Sequence, residues 1–135
     1  MSIGSWVGQY LIAVAAFCLL DLVWLTVVAN DLYRRLLGDL LADRPNPAAA
    51  VLFYAIFLGG LLYFVIHPAI EQGSLSRAVI AGAAFGLVTY ATWDLTNLAV
   101  IEGFPLAIVP IDMAWGTVLA ASVSAATYQI WKLVT

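Results

Sequence analysis

Four apolar runs, at about residues 5–29, 48–66, 78–100 and 108–131, take up most of this chain, with short polar breaks between them. Each is close to the ~20 residues that carry a helix across a ~30 Å hydrocarbon core. No water reaches the backbone in that core, so a spanning segment must satisfy its own N–H and C=O groups, as a helix does. Pro45, Asn46 and Pro47 punctuate the start of the second run, and His67 with Pro68 marks its expected end; residues 71–74 and 102–105 are polar turns. The expected fold is an all-α integral membrane protein. It is a single membrane domain over residues 1–135, built as an antiparallel bundle of four transmembrane helices.

Composition points the same way. The chain is 64% hydrophobic and only 10% charged, whereas soluble domains average about 25% charged. Its net charge of -3 comes from eight acids against five bases, with no dense basic cluster, which argues against nucleic acid as a partner. Cys18 stands alone inside the first run, so neither a disulfide framework nor a Cys/His metal spacing is available. The first run has no Lys or Arg ahead of it and carries Asp21 and Trp24 where a signal peptide would have its cleavage region, so it is expected to stay as a helix.

Residues 30–44 are too polar to span. Leu32, Leu36, Leu37, Leu40 and Leu41 recur at helical spacing, while Asp31, Arg35, Asp39 and Asp43 descend another face in i,i+4 steps. An amphipathic helix over about residues 31–43, lying in the membrane interface between spans one and two, fits this pattern. The alternative is a simple extension of the first helix, with Leu36 and Leu40 exposed. Four antiparallel spans put both termini on one side. The other side carries Arg34, Arg35 and Arg44 against Arg77 and Lys132 on the first, a bias that leans toward the cytoplasm for the acid-bearing side.

Three aspartates lie inside the spans. Asp21 is nine residues before Asn30, Asp94 eight before Glu102, and Asp112 seven after Pro105; at ~1.5 Å per residue each sits ~10–14 Å inside the same boundary. A carboxylate at span depth costs ~2.5–3.5 kcal/mol on insertion scales, so such residues usually face a bundle interior or a polar cavity. Each acid has a polar or aromatic neighbour on its own helix face: Trp24 for Asp21, Tyr90 and Asn97 for Asp94, Trp115 for Asp112. No Lys or Arg lies within any span to neutralise them. Asp21, Trp24, Tyr90, Asp94, Asn97, Asp112 and Trp115 are therefore the candidate ligand- or ion-binding residues.

Small residues aim two of the acids inward. Ala78, Gly82, Gly86, Tyr90 and Asp94 follow one another at four-residue intervals, as do Asp112, Gly116, Ala120, Ser124 and Tyr128. Such ridges let membrane helices approach closely, so Gly82, Gly86, Gly116 and Ala120 are expected to bring helices three and four together. Plainer readings stand beside these. Asp112 could be a helix N-terminal residue favoured by the macrodipole after Pro110, Asp94 and Asn97 could tie helices by hydrogen bonds, and Asp21 could pair with Arg34 or Arg35. His67, Trp6, Trp131 and Tyr128 read as interfacial residues, and Cys18 as packing.

The stretches LDLVWL at 20–25, LYRRLLGDLL, NPAAAVLFYAIFLGG, GAAFGLVTYATWDLTNLA at 82–99 and IDMAWGTVL at 111–119 resemble a bacterial family of small four-helix membrane proteins catalogued as a domain of unknown function. The resemblance covers nearly the whole chain. It implies a multi-pass protein of the bacterial inner (plasma) membrane and singles out Asp21, Trp24, Tyr90, Asp94, Asn97, Asp112, Trp115 and Gly116, without naming a substrate.

Three functions compete. The acid layer could bind or translocate a proton, a cation or a cationic small molecule; the chain could be a structural or accessory subunit of a membrane complex; or it could be a lipid-modifying enzyme or its accessory. No Ser/His/Asp set, glycine-rich phosphate loop or metal motif of known spacing supports the enzyme. No cofactor is expected, and the expected partners are the lipid bilayer and a homodimer or larger membrane complex.

Overall fold

The computed structural model describes residues 2–135, and among these every regular element is helical. Helix α1 (Ile3–Val23) starts on Ser2, whose side chain accepts from the Ser5 backbone N–H. A π-helical turn (Trp24–Ala29) carries it without a break into α2 (Asn30–Leu37), and a 3-10 turn (Gly38–Leu40) ends the path. The polar segment is therefore helical to Leu40 and not through residue 43. Gly38 adopts a φ of 53°, which is open to glycine and strained for other residues. Leu36 is half-buried and Leu40 is exposed.

Asn46 opens α3 (Pro47–Leu61) by accepting from the Ala49 N–H, with Pro47 in the first turn, where a missing donor costs nothing. Pro68 does not end this span as expected. A second π-helical turn (Leu62–Ile66) leads into α4 (His67–Gln72), and the wider turn accommodates the absent N–H and the ring of Pro68. Gly73, at φ 62° and ψ 36°, then closes the helix in the left-handed conformation. Ser74 caps α5 (Leu75–Val100), and α6 (Ile108–Val134) completes the bundle. The resulting four helical paths, Ile3–Leu40, Pro47–Gln72, Leu75–Val100 and Ile108–Val134, are each long and apolar enough to cross a membrane.

Large apolar side chains such as Leu19, Val27, Ile56, Val88 and Val118 point outward and exposed, as a lipid-facing surface does. The interior holds Phe17, Phe57, Leu58, Leu61, Leu119 and Val123. Since lipid tails are as apolar as leucine, close packing and not hydrophobic burial holds such a bundle together. The tightest packing joins α5 to α6. A Cβ on Gly86 would overlap the Gly116 carbonyl, one on Gly82 would come within 2.8 Å of Ser124 Oγ, and one on Gly116 would enter the Tyr90 ring. Ala78, Ala120 and Ser124 are fully buried along the same contact.

Candidate functional site

Asp21 lies near the end of α1, Asp94 two turns before the end of α5, and Asp112 just past the first turn of α6. The close α5–α6 contact sets the Asp94 and Asp112 carboxyls against each other, and α1 brings Asp21 to the same end of the bundle. Between them is a cavity of about 510 Å³ lined by Asp21 and Asp112 and by the rings of Trp24, Tyr54, Tyr90 and Trp115. Tyr33, Phe53 and Trp93 complete its aromatic wall, and no Lys, Arg or His lines it.

The rings are held by specific contacts. Trp24 and Trp115 stack with centroids 4.4 Å apart and planes within 5°. Trp24 Nε1 donates to Tyr33 Oη at 3.3 Å, and Tyr33 Oη donates onward to Asp112 Oδ1 at 2.6 Å. Tyr54 Oη donates to Asp21 Oδ2 at 3.4 Å. Trp115 Nε1 is directed toward Asp21 but falls short of hydrogen-bond geometry and is buried without a partner. Tyr90 is pinned over Gly116, where the absent side chain leaves room for its ring.

Five of the seven candidate residues, Asp21, Trp24, Tyr90, Asp112 and Trp115, meet at the cavity wall. Asp94 and Asn97 do not. Asp94 is 1% exposed and lies behind Asp112, with its Oδ2 lacking any hydrogen-bond partner, and Asn97 Nδ2 is likewise buried and unpartnered. Neither of these two atoms ties α5 to a neighbouring helix by a hydrogen bond. Nor does Asp21 pair with Arg34 or Arg35: among the described residues the ion-pair contact is that of His67 with Glu71. Asp112 lies beyond the first turn of α6, so its main partner is Tyr33 and not the helix N-terminus.

Tyr33, Phe53 and Tyr54 are among the lining residues that spacing missed. Tyr54 lies eight residues past Asn46, at ~12 Å by the helical rise that locates the acids, so the same depth rule finds it.

A second polar cluster sits at the opposite end. His67, expected at the interface, is buried at 5% exposure; its ring stacks on Trp6 at 3.6 Å, with Nδ1 3.0 Å from Gln9 Oε1 and Nε2 2.6 Å from Glu71 Oε1. This cluster fastens the start of α1 to α4.

No curated protein and no solved structure matches the chain. Residues 6–129, which include every residue lining the cavity, match the family described as Predicted membrane protein (DUF2177), whose function is unknown. The chain is thus a multi-pass membrane protein and belongs to that family.

Proposed function

We propose that this membrane protein binds an organic cation in the cavity between Asp21 and Asp112. One observation carries the reading: two carboxyls and a continuous aromatic wall face the same 510 Å³ space with no basic side chain among them. Carboxyls at span depth mark substrate or ion pathways. Ring faces attract a cation by ~0.5–2 kcal/mol each, more as water is excluded, and such aromatic cages suit alkylated ammonium groups. A hard metal ion takes six or more oxygen ligands, and no group of three or more His, Cys, Asp or Glu side chains converges among the described residues.

Asp94 gives the site a second role. It stands against Asp112, and negative charges so placed repel one another. A cation bound in the cavity offsets the repulsion within the pair. Beneath the cavity, Phe17, Phe57, Leu61, Leu119 and Val123 are almost completely buried, so carriage to the far side would require the helices to move. The proposed setting is the bacterial inner membrane, with Arg34, Arg35 and Arg44 holding the acid-bearing end in the cytoplasm.

Tetramethylammonium titrated into the protein in a non-ionic detergent tests this reading, since Trp24, Trp93 and Trp115 report from the cavity wall. Saturable quenching is expected with tetramethylammonium and not with neutral tert-butanol. Equal responses to both would refute the cation site.

A further inference from the structure

A second cavity, of about 620 Å³, adjoins the first, and the two have Leu25 and Tyr33 in common. Tyr33 is the polar part of the shared wall. Its hydroxyl is fixed by Trp24 on one side and Asp112 on the other, so the residue is held in place where both chambers have it in their lining. The chambers differ in charge. The inner one holds Asp21 and Asp112 and no base, whereas the outer one is lined by Arg34, the residue next to Tyr33, together with Asp43. No carboxylate lies within ion-pair distance of Arg34 among the described residues, so its guanidinium is uncommitted. The remaining outer wall is largely apolar, with Leu25, Ala29, Leu41 and Ala42.

Taking the cation site proposed above as its basis, we infer that the ligand is a zwitterion of the ammonium-alkyl phosphate class. Its ammonium sits in the inner chamber among the acids and rings, and its phosphate sits in the outer chamber on Arg34. An uncommitted anion-binding group one residue beyond an anionic, aromatic cavity is complementary to opposite charges on one short molecule. Arginine presents a planar fork of donors that matches phosphate oxygens in pairs. A zwitterion with its charges one carbon apart would keep its anion beside Asp21 and Asp112, where it is repelled. A two-carbon link plus an ester oxygen holds the two charges further apart. Asp43 opposes the phosphate and sets an upper limit on its affinity.

The same chemistry exists free in solution and as a lipid headgroup, and the apolar outer wall leaves room for either. Tryptophan fluorescence in a maltoside detergent distinguishes these with three probes: choline, phosphocholine and dihexanoylphosphatidylcholine. Phosphocholine is expected to bind roughly tenfold more tightly than choline, in line with a charge-assisted arginine contact. That ratio should fall to about one in Arg34→Gln and rise in Asp43→Asn. A further gain for dihexanoylphosphatidylcholine would assign the lipid form, and affinity equal to phosphocholine the free form. If choline binds but phosphocholine binds no better, or its advantage survives Arg34→Gln, the zwitterion is refuted and the cation site stands. If none of the three binds, the cation site and the inference built on it are both refuted.

Discussion

Tyr33 and Asp112, 79 residues apart in the chain, are joined by a 2.6 Å hydrogen bond from the tyrosine hydroxyl to the carboxyl oxygen Oδ1. This contact fastens the extension of α1 to the start of α6 and closes one wall of the acid–aromatic cavity. Hydrogen bonds to charged groups contribute about 1.5–3 kcal/mol. Tyr33→Phe, which keeps the ring and removes the donor, is expected to lower stability by roughly that amount, read as the unfolding midpoint in detergent. An unchanged midpoint would mean that the bond holds nothing in place.

The stack of Trp24 on Trp115, 4.4 Å between centroids, lines the cavity. Trp115→Leu is expected to weaken tetramethylammonium binding about three- to thirtyfold, the range of one cation–π contact, while the helical circular dichroism is retained. Full affinity in a folded Trp115→Leu protein would remove the rings from the site.

At the α5–α6 contact, Gly86 and Gly116 leave no space for a Cβ. Overpacking costs typically about 1–3 kcal/mol, and Gly86→Ala should show it because the obstacle is backbone. At Gly116 the obstacle is the movable Tyr90 ring, so Gly116→Ala should disturb the cavity at least as much as the fold. Chemical denaturation of both variants checks this; unaltered transitions for both would contradict the packing.

The His67 cluster at the far end permits a separation of stability from binding. His67→Ala empties the space beside Trp6 and leaves Gln9 and Glu71 without the imidazole, an expected loss of about 2–4 kcal/mol. Tetramethylammonium affinity, measured where the variant is folded, should equal that of the wild type. A parallel loss of affinity would show the two ends to be coupled.

What the sequence discloses, and what it hides, follows from how well helical phase can be counted. Asp21, Trp24, Tyr90, Asp112 and Trp115 can be grouped by depth and by i,i+3 or i,i+4 spacing because each pair lies on one regular stretch, Trp24 standing at its limit. Tyr33 and His67 cannot. Tyr33 follows the π-helical turn Trp24–Ala29, and His67 follows the turn Leu62–Ile66. One extra residue per turn displaces the helix face by ~100°, so a regular count assigns the side chains beyond it to the wrong face. The leucine stripe of residues 31–43 lies beyond the first of these turns; its helix continues from α1 and puts Tyr33 against Asp112. The aspartates' partners are hidden for a related reason: depth gives a layer, but only the inter-helix packing decides that Asp94 stands behind Asp112 and away from the cavity.

Calorimetric titration of tetramethylammonium into the wild-type protein and into Asp112→Asn tests the cation site most directly. Asparagine keeps the shape and can still accept from Tyr33 while removing the charge. The account predicts saturable binding to the wild type with a stoichiometry of one, and loss of affinity by at least tenfold in a folded Asp112→Asn protein. Equal affinity in the two proteins would contradict it.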